Sequence, residues 1–386
     1  MQVTGTIKYV GVNDHDIDLF EGQYDVRENG MAYNSYVVIG EKVAVADTVD
    51  ARFVDEWLGN VETVLDGRTP DYLVVHHMEP DHSAGIVAFM DRYPDAQIVA
   101  SKMAFKMMAA YFGTDFSDRQ IVCKEGFELD LGDRTLRFIG AANVHWPEVM
   151  FSYDSQDKVL FSADAFGKFG ANDIEDPEGW ACEARRYYFG IVGKFGKNVQ
   201  AVLQKVAAFD VECICPLHGP VLSEKLAYYV ETYTTWAHYE PENSGVTIAY
   251  ASVYGHTKQA AEELACALEE KGQTVSLFDL ARDDMAEAVE DAFRYDRLVL
   301  ASITYAGDIF PFMTAFIHAL AEHAYQNRKV AFIESGTWAP VAAKAMRAQM
   351  EQLAGIEFAE TVVTVRGSVD DAARAQIAAL ANELAS

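Results

Sequence analysis

The sequence is poor in cysteine, in basic residues and in long apolar runs. Five scattered cysteines among 386 residues exclude a disulfide scaffold. Two of them, Cys213 and Cys215, alternate as residues of a buried strand do, which we favour over a metal-binding pair. Lys and Arg number 31 against 59 Asp and Glu, so the net charge is −28. This excludes a nucleic-acid partner, because phosphate binding needs clustered positive charge.

Other absences concern the location of the protein. No apolar run approaches the ~20 residues that cross a bilayer, so we expect no membrane partner. The first residues lack the basic and apolar regions of a signal peptide. Together with the sparse cysteines, this makes a reducing cytoplasm the expected location.

Two parts of the chain differ in their patterns. Half of the residues are hydrophobic, which is enough for more than one core. The first ~240 residues contain short β-rich segments bounded by Gly, Asp or Pro, with helical stretches between them. The last ~140 residues alternate helices with five apolar strands, which predicts a doubly wound parallel sheet. Because the polar segment "HYEPENSG" lies between the parts, we predict two α/β domains, 1–243 and 244–386.

Potential metal ligands concentrate in "VVHHMEPDHSAG", directly after an apolar run. His77, Glu79 and Asp81 share a period of two, which would place their side chains on one face of an extended segment. His82 is expected to follow at the turn into a helix. His76 has the opposite parity, so we expect it to pack or to support a ligand.

Three further segments place a polar side chain after a strand and beside Gly or Pro. They are His145 in "NVHWPE", Asp164 in "SADAFG" and His218 in "PLHGP". A single histidine at a strand end is usually an ordinary loop residue, but four separated segments of this kind predict a metal site. The set is large enough for two metals with one bridging carboxylate. Because carboxylate oxygens are harder than imidazole nitrogens, Glu79 favours iron over zinc.

A second candidate site lies in the last 140 residues. The segment "AYASVYGHTKQAA" follows a strand and opens a helix, whose N-terminus favours a phosphate. Ordinary turns also contain Ser and Thr, but two more strand ends, in "VLASITYAGDIFP" and "VAFIESGTWAPVAA", support a ligand site. Trp338 either packs within its loop or stacks on a flavin ring. The absence of G-x-G-x-x-G after a strand favours FMN over a dinucleotide. The predicted FMN-binding residues are Ser252, Tyr254, Gly255, His256, Thr257, Ser302, Thr304, Tyr305, Ala306, Gly307, Ser335, Gly336, Thr337 and Trp338.

These segments resemble a known family. "HHMEPDHSAG", "NVHWPE", "SADAFG" and "PLHGP", in this order, resemble the metallo-β-lactamase fold, whose hydrolases typically carry H-x-H-x-D-H. With Glu79 at the second histidine and a flavodoxin-like phosphate loop, in which His256 stands where Asn is common, the entire chain resembles the flavodiiron proteins, also called A-type flavoproteins. The implied fold is an N-terminal αββα metallo-β-lactamase-like sandwich followed by a doubly wound, five-stranded flavodoxin-like domain.

The resemblance also implies roles for individual residues. One iron would bind His77, Glu79 and His145, the other would bind Asp81, His82 and His218, and Asp164 would bridge them. In some members the histidine that matches His82 turns away from the metal. Tyr187 and Tyr188 are implied proton donors. Glu21 stands where some members have histidine, which leaves the gas preference open.

The implied activity is that of an oxidoreductase. Electrons would pass from FMN to a non-haem diiron site that reduces O2 to water, NO to N2O, or both, which would detoxify these gases in an anaerobe. The implied assembly is a head-to-tail homodimer or a dimer of dimers, since the two sites of one chain lie far apart in this family. No C-x-x-C pair follows the second part, so we expect a separate electron donor such as rubredoxin or a flavin reductase.

Two alternatives remain open. One is a dizinc hydrolase of the metallo-β-lactamase fold with a regulatory flavodoxin module. The other is a non-catalytic gas or redox sensor. Glu79 and the flavin loops count against the hydrolase, which needs a metal-bound water but no electron carrier. No DNA-binding or signalling segment supports the sensor.

Overall fold

The structure, a computed structural model, describes residues 3–386 and divides into two compact units. The division lies between Thr234 and Thr235, nine residues before the predicted boundary at 243 (243 − 234 = 9). Hydrogen bonds hold residues 235–243 to the rest of the second unit: the Arg328 side chain donates to the Tyr239 carbonyl at 2.6 Å, and the Glu242 amide donates to the Arg294 carbonyl at 2.9 Å.

The first unit is built on two main sheets and two short strand pairs. Its strands are β1 (Ile7–Tyr9), β2 (Val12–Asp14), β3 (Leu19–Phe20), β4 (Tyr24–Asp25), β5 (Met31–Tyr33), β6 (Tyr36–Ile39), β7 (Val43–Ala46), β8 (Tyr72–Val75), β9 (Gln97–Ser101), β10 (Gln120–Cys123), β11 (Glu128–Asp130), β12 (Thr135–Gly140), β13 (Met150–Asp154), β14 (Val159–Phe161) and β15 (Cys213–Cys215). One sheet has the order β1-β6-β7-β8-β9-β10, and the other has the order β11-β12-β13-β14-β15. Strands β13 and β14 form an antiparallel hairpin, with Ser152 opposite Phe161.

Helices connect the strands of the first unit. They are α1 (Val54–Leu65), α2 (Pro80–Ser83), α3 (Ile86–Arg92), α4 (Lys102–Phe112), α5 (Trp180–Tyr187), α6 (Gly196–Val206) and α7 (Leu226–Ala237), which continues into the second unit. A short π-helical segment, Tyr188–Val192, follows α5 directly. In α1, the buried residues Trp57, Val61 and Leu65 recur every four positions, so one stripe of the helix packs on the core.

The core of the first unit lies between its two main sheets. Buried side chains from both sheets form one cluster, including Val38 and Val74 from the first sheet and Phe138 and Phe161 from the second. Cys213 and Cys215 both belong to this cluster, as their alternation predicts. Face-to-face packing of two sheets with helices between strands is the predicted sandwich.

The second unit is a doubly wound sheet with helices on both faces. Its strands are β16 (Asn243–Ala251), β17 (Val275–Asp279), β18 (Tyr295–Tyr305), β19 (Asp308–Ile309), β20 (Lys329–Ser335) and β21 (Glu357–Val365), and its helices are α8 (His256–Glu269), α9 (Met285–Arg294), α10 (Pro311–Glu322), α11 (Ala342–Met350) and α12 (Asp371–Ala385). The parallel order β17-β16-β18-β20-β21 confirms the five predicted strands, and β19 adds a short antiparallel pair with β18. Helix α8 packs beside α12, whereas α10 packs beside α9 and α11. Within residues 3–386, no helix is long and apolar enough to cross a bilayer.

Candidate functional site

The seven predicted metal ligands come together in two groups. Each ligand follows a strand of the first unit. Strand β8 precedes His77, Glu79, Asp81 and His82, whereas β12 precedes His145, β14 precedes Asp164 and β15 precedes His218. The first group contains His77, Glu79, His145 and Asp164, and the second contains Asp81, His82 and His218. Five of the seven side chains are buried, and those of Glu79 and Asp81 are 13 % and 11 % exposed.

The first group surrounds a single point. The Nε2 atom of His77 lies 3.2 Å from Oε2 of Glu79 and 3.3 Å from Nε2 of His145. The Nε2 atom of His145 lies 3.0 Å from Oε2 of Glu79 and 2.9 Å from Oδ2 of Asp164. Ligand atoms bound to one metal ion at 2.0–2.2 Å lie about 3 to 3.5 Å from one another, so this spacing fits one ion.

The second group has a similar spacing. The Nε2 atoms of His82 and His218 are 2.9 Å apart, and they lie 3.3 and 3.4 Å from Oδ2 of Asp81. The other oxygen of Asp164, Oδ1, lies 3.6 Å from Nε2 of His82. Asp164 therefore points one oxygen at each group, which is the geometry of a bridging carboxylate.

The segment after β8 is not extended throughout, as its period of two suggested. Helix α2 begins at Pro80, so Asp81 and His82 lie in a helical turn that Pro at its first position favours. Asp81 therefore turns away from His77 and Glu79 and joins the second group. The ligands of this segment divide between two groups because the chain changes from strand to helix within it.

Side chains outside the ligand set hold the imidazole rings. The carboxylate of Glu148 accepts from Nδ1 of His77 at 2.7 Å and from the Met78 amide at 2.9 Å, and it is buried. The Ala32 carbonyl accepts from Nδ1 of His218 at 2.8 Å. Such contacts fix the tautomer and direct Nε2 at the metal. Sequence reasoning missed Glu148, although it lies three residues after His145.

His76 supports the segment rather than the metal site. Its Nδ1 lies 2.6 Å from Asp47 and its Nε2 lies 2.8 Å from Ser152. Asp47, at a φ of 56°, also accepts from the His76 amide at 2.7 Å. The carboxylate thus fixes the end of β8, where the first ligand begins.

The buried carboxylates of the two groups need a cation. Among residues 3–386, no backbone amide or hydroxyl group donates a hydrogen bond to either oxygen of Asp81 or of Asp164, although all four oxygens are buried. A buried carboxylate that only imidazoles face is costly unless it is paired or coordinates a metal. The polar atoms nearest to these oxygens are imidazole nitrogens, so the donor set of nitrogen and carboxylate oxygen fits two iron ions.

The two histidines of the second group have lowered pKa values, which favours metal binding. Burial, and then the neighbouring His218, hold the pKa of His82 well below its usual range. Burial also lowers the pKa of His218. Both imidazoles are therefore neutral near pH 7, the form that binds a metal. Burial and the charge of Glu79 raise the pKa of Asp81.

Protons occupy the first group when no metal is bound. Burial opposes protonation of His77, but the charge of Asp164 and the hydrogen bonds to Asp164, Glu148 and Glu79 together outweigh it and raise the pKa of His77. Burial also opposes protonation of His145, whose hydrogen bonds to Asp164 and Glu79 nevertheless raise its pKa to about 9. Metal binding at neutral pH must therefore displace protons.

Aromatic rings enclose the two groups. The ring of Trp146 lies 5.2 Å from that of His77, and the rings of Phe20 and Tyr187 both lie 5.4 Å from that of His218. Tyr188, the other predicted proton donor, packs against Tyr233 at 4.9 Å. The two tyrosines thus occupy different environments, because consecutive residues of a helical segment point in different directions.

The second unit holds a cavity of about 680 Å³ at the carboxyl ends of β16, β18, β20 and β21. Eleven of the fourteen predicted flavin-binding residues line it. The strand order reverses at β16 and β18, where ligands of doubly wound sheets bind. Helix α8 begins at this cavity, and its N-cap Gly255, at a φ of 92°, supplies no side-chain cap. The amide groups of the first turn are therefore available to a phosphate.

The lining of the cavity also includes an aromatic side chain, that of Trp338. Trp338 is 89 % exposed, so it is not packed within its loop, which favours stacking on a planar ring. The hydroxyls of Thr257 and Ser335 lie 2.8 Å apart inside the wall of the cavity. Its size and its polar and aromatic lining residues fit FMN.

Three predicted residues do not line the cavity. Gly255 forms the N-cap of α8, the Ser302 hydroxyl contacts the Ile303 carbonyl at 3.1 Å, and Tyr305 packs on Phe310 at 5.1 Å. Sequence reasoning missed four lining residues: Val253, Ile303, Ala339 and Gly367. Gly367 follows β21, so the rule that ligands bind at carboxyl ends of strands would have found it.

Comparisons with known proteins cover both units. A family model described as "ODP family beta lactamase" matches residues 31–219, and a "Flavodoxin domain" model matches residues 247–372. An anaerobic nitric oxide reductase flavorubredoxin of Vibrio vulnificus is 29% identical over 374 residues, which cover 94% of this chain and 75% of the relative. An uncharacterised protein of Methanocaldococcus jannaschii is 30% identical over 321 residues, 82% of this chain and 80% of that protein.

A solved structure resembles the whole chain. Rubredoxin oxygen:oxidoreductase from the anaerobe Desulfovibrio gigas superposes with a TM-score of 0.92 and 26% sequence identity. The match covers 100% of this chain and 97% of that chain.

Proposed function

Because the chain belongs to the flavodiiron proteins, we propose that it is an oxidoreductase that uses FMN and a non-haem diiron centre to reduce O2 to water, NO to N2O, or both. One observation carries the proposal. Seven ligands form two groups with Asp164 between them, in the same chain as a cavity that fits FMN. The names of the relatives support both gases: one is a nitric oxide reductase and another an oxygen oxidoreductase.

The chain's own residues would hold the cofactors. One iron would take His77, Glu79 and His145, the other would take Asp81, His82 and His218, and Asp164 would bridge them. The phosphate of FMN would lie at the N-terminus of α8, and Trp338 would stack on its ring. When bound, FMN accepts electrons in pairs and releases them singly, and the irons bind the gas and reduce it.

Protein groups around the diiron site would exclude water and supply protons. Trp146 and Phe20 shield the imidazoles. Burial and the charge of Asp164 raise the pKa of Tyr187, so its phenol keeps a proton that it can donate. We assign the donor role to Tyr187 rather than to Tyr188, because the ring of Tyr187 packs on a ligand.

Glu21 is a second group that can hold a proton beside the site. It is exposed, and its carboxyl group lies next to that of Glu79. Partial desolvation, and then the charge of Glu79, raise the pKa of Glu21 to about 7. We propose that it occupies the place that histidine holds in some members of the family.

The partner and assembly follow from the same family. We propose a separate protein donor, rubredoxin or a flavin reductase, and a head-to-tail homodimer or dimer of dimers in the cytoplasm. The name of the Desulfovibrio gigas protein supports rubredoxin. A sedimentation mass equal to one chain, in a preparation with full activity, would contradict the assembly.

The first test is the iron, zinc and flavin content of protein purified without added metal from iron-replete cells. We expect two irons and one FMN per chain, and consumption of O2 or NO when a reduced donor is supplied. Zinc with little iron would favour the hydrolase. Both cofactors without gas consumption, tested with each donor, would favour the sensor.

A matched variant sharpens this test. Glu79→His restores the H-x-H-x-D-H pattern of the dizinc hydrolases, so we expect its zinc-to-iron ratio to rise above that of the wild type. An unchanged ratio would show that Glu79 does not select the metal.

A further inference from the structure

A series of aromatic side chains leads from the metal groups towards the surface of the first unit. At its inner end, the ring of Tyr187 lies 5.4 Å from that of His218, and Tyr188 is the next residue along the chain. The ring of Tyr188 lies 4.9 Å from that of Tyr233, which belongs to α7. Aromatic contacts therefore connect the surroundings of a metal ligand with helix α7.

The outer part of the series continues along α7. The ring of Trp180 lies 6.4 Å from that of Tyr233 and 4.8 Å from that of Tyr229. The rings of Tyr229 and Tyr228 are 5.4 Å apart, and Tyr228 is 46% exposed. All these spacings lie within the range in which aromatic rings contact one another. We call the series the aromatic chain; from the inside outwards its members are Tyr187, Tyr188, Tyr233, Trp180, Tyr229 and Tyr228.

Every member of the aromatic chain can lose one electron. Phenol and indole rings are oxidised far more readily than the ring of phenylalanine. The four inner members are buried, where a tyrosine or tryptophan has to place a polar atom. The indole of Trp180, for example, donates to the Phe166 carbonyl at 3.1 Å. Phenylalanine would fill the same space without this requirement, so packing alone does not account for a series of oxidisable rings.

The proposed reaction has a hazard that such a series can relieve. Reduction of O2 to water takes four electrons and four protons. The two irons can supply two of these electrons and FMN the other two. If the electron donor fails, O2 can meet a protein that holds only two electrons. Two oxidising equivalents then remain beside the buried histidine and carboxylate ligands.

We propose that the aromatic chain conducts electrons from the surface to the metal groups when O2 is reduced with too few electrons, and so protects the ligands from oxidation. The inference rests on the proposed function and adds a protective activity to it. Electron transfer between neighbouring aromatic rings is fast because each step is short, whereas a single transfer from the surface would have to cross the whole protein wall.

The electrons and protons of this transfer balance. The phenol of Tyr187 gives one electron to the metal groups and its proton to the oxygen that is being reduced. Each ring further out gives up one electron and one proton, while the ring before it takes up one of each. At Tyr228, a soluble thiol supplies one electron and one proton. Two thiols complete the four electrons and leave as one disulfide.

The test uses the holoenzyme with a controlled shortage of electrons. Anaerobic protein receives two electrons per chain and is then mixed with O2 in the presence of catalase, which removes any peroxide released into solution. Freeze-quenched samples are examined by EPR for tyrosyl and tryptophanyl radicals, and peptide mass spectrometry measures oxidation of each side chain. We expect a radical signal and oxidation of Tyr228. Protein that receives four electrons per chain should show neither.

Tyr111 serves as the internal control for oxidation from solution. It belongs to the same unit and is 46% exposed, as Tyr228 is. Its ring lies 6.1 Å from that of Phe112, which does not carry electrons in this way. Tyr111 should therefore be oxidised less than Tyr228.

Variants test the link at Trp180. Trp180→Phe keeps an aromatic ring but removes an oxidisable one, so oxidation of Tyr228 should fall to the level of Tyr111. The double variant Tyr228→Phe/Tyr229→Phe changes only positions near the surface, which protects against loss of folding, and oxidation should then accumulate at Trp180. The matched control Tyr111→Phe should leave the radical signal unchanged. Glutathione, the probe for the soluble thiol, should remove the radical from the wild type and appear as its disulfide.

The outcomes separate this inference from the proposed function. If O2 is consumed but Tyr228 and Tyr111 are oxidised equally, or Trp180→Phe leaves the oxidation of Tyr228 unchanged, the aromatic chain is overturned and the gas reductase stands. A radical that persists in glutathione overturns the outlet at Tyr228. If the reduced holoenzyme consumes no O2, the proposed function fails for this gas, and this inference fails with it.

Discussion

Glu148 gives the most direct test of the diiron site, because it contacts a ligand but no metal. Its Oε1 atom accepts from Nδ1 of His77 at 2.7 Å and from the Met78 amide at 2.9 Å. Glu148→Ala removes both contacts, so the ring of His77 loses the partner that directs Nε2 at the first iron. Loss of such a partner typically costs about 10- to 100-fold in metal affinity, or about 1.4 to 2.7 kcal/mol.

The same change destabilises the metal-free protein. Two buried donors would lose their acceptor, at about 1–3 kcal/mol for each one that stays unsatisfied. Glu148→Gln keeps an oxygen for both donors, and its amide nitrogen replaces Oε2, which accepts no hydrogen bond among residues 3–386. The Gln variant should therefore lie between wild type and Ala in iron affinity, and close to wild type in stability.

Iron affinity is measured by anaerobic titration of metal-depleted protein with Fe²⁺ against a coloured chelator, and stability by thermal unfolding of the metal-free form. The matched control is Glu128→Ala, whose side chain is 59% exposed and lies 3.8 Å from Arg137. This exposed pair should contribute less than about 0.5 kcal/mol and leave iron binding unchanged. Wild-type affinity for both irons in Glu148→Ala would refute the assigned role of Glu148.

Three other predictions address protons and flavin. Tyr187→Phe should lower turnover about tenfold or more with full iron content, because it removes a proton donor, whereas Tyr188→Phe should not; equal rates in the two variants would contradict this assignment. Iron loading at pH 7 should release at least one proton, since the hydrogen bond to Asp164 raises the pKa of His145 to about 9, and the release should decline above that pH. Calorimetry in two buffers of different ionisation enthalpy measures it, and zero release at pH 7 would argue against a protonated His145. Trp338→Leu should weaken FMN binding about two- to tenfold and brighten flavin fluorescence, because stacking is lost; an unchanged affinity and emission would place the ring elsewhere.

The ligand positions could be predicted because their signals are local. Each ligand follows a short apolar strand, and each is a residue type that binds metals. The flavin cavity could be found in the same way, from polar residues after successive parallel strands. The residues missed in the cavity, such as Val253 and Ile303, are apolar and carry no such signal.

Other features depend on contacts that the linear pattern does not contain. The period of two by itself grouped Asp81 with His77, and only the family resemblance assigned it to the second group, into which helix α2 turns it. Glu148 could not be assigned from its position, because its partner His77 lies 71 residues away along the chain. Tyr187 and Tyr188 are neighbours in sequence, and only their packing distinguishes them.

The sequence by itself determined the fold class, the kinds of ligand and the two cofactors that these ligands suit. Periodicity, turn residues and donor chemistry are properties of short segments, so they can be recognised without a structure. The tertiary structure decided which groups hold the ligand rings, Glu148 for His77 and the Ala32 carbonyl for His218, and how far each oxygen of Asp164 lies from the two groups. These facts arise where strand ends distant in the sequence meet at one edge of a sheet, which only the packing of the whole unit can fix.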